Sequence, residues 1–150
     1  MKGKIFAADT SFLLSLLGTD GNTDRALSEI SALSLPLTLC SLNDLETLNA
    51  SFMAEFQGFK EPGSSDLIES GLRTERKAGR LVYPPFNPGK AIARATGLSR
   101  WHTLAKGHRT YDVLLVAAAL ELGATDFLTF DERQGMLAEA EGMVVRGLEG

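Results

Sequence analysis

The stretch TYDVLLVAAALELGATDFLTFDERQ, residues 110–134, decides the fold. Tyr111 to Leu122 is a near-continuous apolar run of helical length, so it reads as a helix buried on most of its faces. Gly123 is a C-terminal stop signal, Asp126 to Phe130 is a short buried strand, and Asp131 opens a further helix. Helix, strand and helix in so few residues are the repeating unit of an α/β sheet. Working outward, Lys4 to Ala8 reads as a buried strand, and Asp9, Thr10 and Ser11 offer capping oxygens to a helix through Phe12, Leu13, Leu14, Leu16 and Leu17. Ala26, Leu27, Ile30 and Leu33 repeat at helical spacing. Leu37 to Cys40 reads as a second strand behind Pro36.

Ser41, Asn43 and Asp44 are candidate caps for the next helix, whose Leu45, Leu48, Phe52 and Phe56 recur at three- or four-residue steps up to Gly58. Lys60 to Ser65 is loop-like, and Leu67, Ile68 and Leu72 carry a weaker helical period into a basic run. Leu81 to Tyr83 reads as a short strand or extended chain. After the turn-rich Tyr83 to Gly89, the residues Ile92, Ala95, Leu98, Trp101 and Leu104 suggest an amphipathic helix with Trp101 on its core stripe. Met143 to Arg146 supplies a last strand. The expected architecture is one α/β domain over residues 1–150, three layers around a mostly parallel sheet of four to five strands.

Composition narrows function. The chain has 150 residues, 44% hydrophobic content and a formal net charge of −4, which fits one ordinary soluble domain and announces no polyanion through total charge. One cysteine, Cys40, excludes an internal disulfide, and its apolar surroundings favour a buried thiol. No apolar run reaches membrane-spanning length, and the N-terminus lacks a signal-peptide pattern, so a cytoplasmic protein is expected. No G-x-x-x-x-G-K-[ST] occurs, which excludes a phosphate-loop enzyme. A phospho-acceptor receiver would need an acidic pair after the first strand and a lysine after the last, and both are missing.

Four carboxylates, Asp9, Glu46, Asp112 and Asp131, fall where strands end or helices begin. Each has a plain structural reading. Asp9 suits a helix cap, Asp131 with Gln134 fits a capping box, Glu46 suits the positive end of a helix dipole, and Asp112 is a cap if its helix starts one residue later. Their joint placement says more, because a parallel sheet brings such ends to one edge. Carboxylates about 5 Å apart repel by about 3 kcal/mol per pair at an effective dielectric near 20. A divalent cation removes that cost, and oxygen-only donors select Mg²⁺ or Mn²⁺ over zinc. His102 and His108 stand apart from every cysteine, so zinc is not expected.

The segments FAADTSFL, LETLNA, RTYDVLLVAAAL and GATDFLTFDERQ resemble those of the PIN domain nucleases, in particular the toxin subunits of VapBC toxin-antitoxin pairs. The resemblance covers most of the chain, with residues 58–107 carrying no motif that aligns. It implies that the acids matching Asp9, Glu46, Asp112 and Asp131 surround one or two Mg²⁺ or Mn²⁺ ions, that hydroxyls like those of Ser11 and Thr129 support them, and that the reaction is endonucleolytic cleavage of RNA. It also implies a homodimer and a cognate antitoxin. Arg100, Lys106 and Arg109 are candidate contacts to the RNA backbone, Arg109 foremost because it lies three positions from Asp112. Two other readings stay open: a catalytically silent RNA- or protein-binding module of the same fold, and a solitary RNA-processing nuclease.

Overall fold

The computed structural model describes residues 3–148. Five strands form one sheet: β1 (Phe6–Ala8), β2 (Leu37–Thr38), β3 (Leu81–Val82), β4 (Asp126–Leu128) and β5 (Val144–Arg146). They lie in the order β3-β2-β1-β4-β5, and every pairing is parallel. The helices are α1 (Thr10–Leu17), α2 (Thr23–Ser31), α3 (Ser41–Phe56), α4 (Ser64–Lys77), α5 (Pro88–Leu98), α6 (Leu104–Lys106), α7 (Thr110–Glu121) and α8 (Glu132–Ala140), with a π-helical turn, Ser99–Thr103, between α5 and α6. The strands are shorter than the sequence suggests, because Leu39, Cys40 and Thr129 are buried yet already leave the ladder towards the next helix.

Alternation along each strand feeds the two outer layers. Phe6, Ala8 and Leu128 face Phe12, Leu13, Ala26 and Leu72 of α1, α2 and α4, whereas Ala7 and Phe127 face Val113, Val116, Leu137 and Ala138 of α7 and α8. Because both faces are covered, the strands are apolar on both sides, which is why they read as continuous apolar runs. The strand order reverses between β1 and β4. Chain leaving β1 goes to one side of the sheet, and chain returning from β3 enters β4 on the other. Open α/β folds bind ligands outside the carboxyl ends of the strands at such a switch point.

Two expectations need correcting. Leu45, Phe52 and Phe56 of α3 turn outward, 59, 47 and 87% exposed, while the side facing the protein carries Asn43, Thr47 and Ser51. The three-to-four spacing detected a helix but not which stripe is buried. Trp101 is likewise not core: it is 77% exposed, and Leu104 is 83% exposed. The π-turn that interrupts the helix after Leu98 shifts the phase, so Ala91 and Leu98 pack inward and the residues beyond swing out.

The C-terminal strand is locked close behind β4. Gly147 has φ +106°, and a Cβ built on it would stand 2.5 Å from the Thr129 carbonyl oxygen. Gly142 has φ +95° but open space around it. Gly147→Ala is therefore expected to lower unfolding stability by about 2 kcal/mol or more, and Gly142→Ala by about 1 kcal/mol, the backbone term alone. Urea denaturation midpoints at unchanged m value measure the difference, and equal losses would contradict the close-approach explanation.

Candidate active site

The site starts at the last residue of β1. Asp9 follows Ala8 directly, its amide donates to the Leu128 carbonyl of β4 at 3.1 Å, and its carboxylate caps α1 by accepting from the Phe12 amide at 2.9 Å. Ser11 Oγ donates to Asp9 Oδ1 at 2.7 Å, and Thr129 Oγ1 donates to Asp9 Oδ2. Both hydroxyls also accept from the chain after β4: the Phe130 amide donates to Ser11 Oγ and the Asp131 amide to Thr129 Oγ1. Ser11 and Thr129 thus tie the carboxyl ends of β1 and β4 together around one buried carboxylate. Asp9 is fully buried, and burial pushes its carboxyl up to about 6 against the lowering effect of the Thr129, Phe12 and Ser11 hydrogen bonds, with the charge of Asp131 adding to the rise.

Asp131 caps α8, accepting at Oδ1 from the amides of Arg133 and Gln134. The reciprocal half of the expected capping box is absent. Gln134 sends its side-chain amide to the Asp112 carbonyl of α7 at 3.1 Å instead, so it joins two helices and sets the first turn of α7 beside α8. Asp112 lies in that turn, half-buried; burial raises its carboxyl, the charge of Asp131 raises it further, and Arg109, His108 and Arg133 oppose the rise.

Glu46 comes from the far side. The cap of α3 is Cys40, not Ser41, Asn43 or Asp44, and Asn43 is the fastener: its Oδ1 accepts from the Cys40 amide at 2.9 Å and its Nδ2 donates to the Ala8 carbonyl at 3.1 Å. The start of α3 is therefore pinned to the residue before Asp9. One turn on, Glu46 Oε1 accepts a hydrogen bond from Thr10 Oγ1, and burial followed by the charge of Asp112 raises its carboxyl. Thr10, Asn43 and Gln134 position these acids, and sequence reading treated each only as a cap residue. The one available signal was their adjacency to the acids.

The four acids form an arc in which Asp131 raises both Asp9 and Asp112, and Asp112 raises Glu46. They do not close into a cage: among the described residues no three His, Cys, Asp or Glu side chains surround a common point. The donor chemistry fits a hard divalent cation that keeps several waters and takes one or two carboxylates, and it does not fit an ion needing full protein coordination. By contrast, the acid at the opposite end of β4, Asp126, is a buried structural anion. Burial alone would raise it, but the Thr125 hydroxyl, Arg146 Nε at 2.9 Å and Lys4 Nζ at 3.7 Å hold it below the ordinary range.

Arg109 and Lys106 stand in the segment leading to Asp112, both exposed, and Arg100 is exposed on the π-turn. A cleft of about 800 Å³ opens elsewhere, between the end of α1, the second half of α3 and the start of α4, with Leu14, Ala54, Phe59, Leu67 and Ile68 in its lining. It contains none of the four acids.

A five-stranded parallel sheet covered by helices, with carboxylates from β1, α3, α7 and the end of β4 at its switch point, is the PIN-domain fold. Solved structures share it over nearly the whole chain. Mycobacterium tuberculosis VapC20, a sarcin-ricin loop cleaving toxin, matches with a TM-score of 0.67 at 14% identity, covering 93% of this chain and 96% of its own. VapBC2 from Rickettsia felis, solved bound to a DNA fragment from its promoter, gives 0.63 at 14% identity over 95% and 97%. FitAcB from Neisseria gonorrhoeae gives 0.61 at 15% identity over 95% and 97%. No protein-family model matches the sequence, and no curated protein matches it.

The Asp9 carboxyl makes stability depend on pH. Its folded value, about 6, lies above the ordinary 3.8, so the folded state binds this proton more tightly than the unfolded chain. Its contribution is fully present below about pH 4 and is lost as pH rises through 6. Asp9→Asn, measured by thermal melts in chelator, is expected to stabilise the protein at pH 7.5 by up to about 3 kcal/mol and to lose that gain below pH 4. A gain that did not depend on pH would mean that Asp9 is not held in a charge-disfavouring site.

Proposed function

We propose that the protein is a Mg²⁺- or Mn²⁺-dependent endoribonuclease, the toxin of a type II toxin-antitoxin pair. The observation that carries this reading is the arc of Asp9, Asp131, Asp112 and Glu46 at the switch point. Four acids whose charges raise one another are an expensive arrangement for a structural site, and one that a cation relieves. Likeness of fold to toxins such as VapC20 supports the same class.

Asp112 and Glu46, half-buried and open to solvent, would hold the cation with Asp9, and Asp131 would complete the site directly or through water. Bound there, the ion would supply charge stabilisation at the scissile phosphate and an activated water. The chain's own part is positional. Ser11 and Thr129 hold the Asp9 carboxylate still, Thr10 fixes the Glu46 rotamer, and Gln134 and Asn43 hold the helices from which Asp112 and Glu46 project. Arg109, Lys106 and Arg100 supply positive charge for an RNA backbone beside an acidic centre that would otherwise repel it.

The outward stripe of α3 and the cleft beside it suit protein partners. An amphipathic antitoxin segment fits the apolar cleft between α1, α3 and α4, and exposed Phe52 and Phe56 suit a second copy of the chain. No helix among the described residues is long and apolar enough to cross a membrane, and a cytoplasmic toxin is the compartment proposed.

Purified protein with millimolar Mg²⁺ is expected to cut RNA internally, with cleavage abolished by EDTA. Asp112→Asn and Glu46→Gln should each lose more than the 10- to 100-fold typical of supporting residues around a metal. Melting temperature should rise on adding Mn²⁺ to the intact protein and stay flat for Asp112→Asn. Undiminished cleavage in EDTA, or a flat melting temperature for both proteins, would favour a catalytically silent binding module.

A further inference from the structure

Trp101 is the chain's one tryptophan, and it stands 77% exposed on the π-turn Ser99–Thr103. A large aromatic left in water is the informative exception among surface residues, and π-helical turns concentrate at functional sites. The turn is fastened at both ends to α8. His102 Nε2 lies 2.8 Å from Glu141 Oε2 at the C-terminal cap of α8, and the Arg133 guanidinium, in its first turn, donates to the carbonyls of Lys106 and Gly107. The segment from His102 to Gly107 therefore runs back along α8 towards Asp131.

Trp101 projects from the far end of this strap. The length of α8, nine residues or about 14 Å, separates it from the acid arc, a span of a few nucleotides of extended strand. Between the two stand Lys106 and Arg109, with Arg100 next to the ring. All three are exposed, and none takes part in a salt bridge among the described residues. Glu141 is the acid that faces this strap, and it is engaged by His102. An exposed indole followed by a row of cations leading to a carboxylate centre matches the two components of single-strand binding, a stacking face and a charge track.

We propose that Trp101 is a stacking platform for an unpaired RNA base flanking the cleaved phosphodiester, so that the substrate class is RNA with single-stranded or looped-out nucleotides, not a continuous duplex. A-form duplex keeps its bases stacked on one another and offers no free ring face to the indole. The inference rests on the ribonuclease reading above and extends it to substrate class.

Because the chain has one tryptophan, its intrinsic fluorescence reports this ring alone. Asp112→Asn protein in Mg²⁺, which would hold RNA without cutting it, is titrated with a single-stranded oligoribonucleotide and with a fully paired duplex. Intact protein in EDTA gives a second series that needs no substitution among the acids. Saturable quenching by the single strand in either series and little by the duplex is expected. Trp101→Ala should weaken single-strand binding by about five- to a hundredfold and Trp101→Phe by much less. In cleavage assays, Trp101→Ala should raise KM and leave kcat within about twofold. Unquenched fluorescence in both series, or unchanged affinity of Trp101→Ala, overturns the proposal. So does shielding of the indole from acrylamide that grows with protein concentration without RNA, which would assign Trp101 to a protein interface. Cleavage without quenching defeats this inference alone, whereas quenching without any cleavage by intact protein defeats the ribonuclease reading alone.

Discussion

One buried carboxylate organises the catalytic edge of this molecule. Asp9 ends β1, caps α1 and receives the hydroxyls of Ser11 and Thr129, which in turn receive the amides of Phe130 and Asp131. Removing a carboxylate from water is costly unless its lone pairs are satisfied, so the surrounding donors are held to one geometry. That requirement fixes how the end of β1 meets the end of β4, and with it where α8 starts. The Gly147 backbone presses on Thr129 from behind, so the last strand of the sheet closes the same unit.

From that anchor the other acids are placed by neutral polar side chains. Asn43 reaches from the start of α3 to the Ala8 carbonyl, and Gln134 reaches from α8 to the first turn of α7. Amide side chains serve here because they bridge backbone groups without adding charge to an edge already crowded with anions. The resulting arc stores mutual repulsion, visible as raised carboxyl groups at Asp9, Glu46 and Asp112. A fold that keeps such repulsion at a sheet switch point, while neutralising Asp126 at the opposite edge with Lys4 and Arg146, has separated a site from a structural ion cluster.

Much of the fold was legible because each strand is short, apolar and followed at once by a capping residue. Phe6 to Ala8 before Asp9, and Asp126 to Leu128 before Asp131, read directly as strand then helix. The candidate acids were legible for the same reason, since the residue that caps a helix after a parallel strand stands at the carboxyl edge. Where the reading failed, periodicity alone was asked to choose a face. The stripe Leu45, Phe52 and Phe56 is helical but exposed, and the π-turn put Trp101 outside the core that its spacing suggested.

The amino-acid sequence by itself determined the order and type of the elements and the positions of Asp9, Glu46, Asp112 and Asp131, because burial pattern and capping chemistry act over a few residues. Tertiary structure alone decided that β1 lies between β2 and β4, that Asn43 and Gln134 are fasteners and not caps, and that the strap carrying Trp101 is tied along α8. These depend on hydrogen bonds between residues up to 120 positions apart, as between Asp9 and Thr129. No local spacing encodes which of many possible partners a side chain meets when the chain closes.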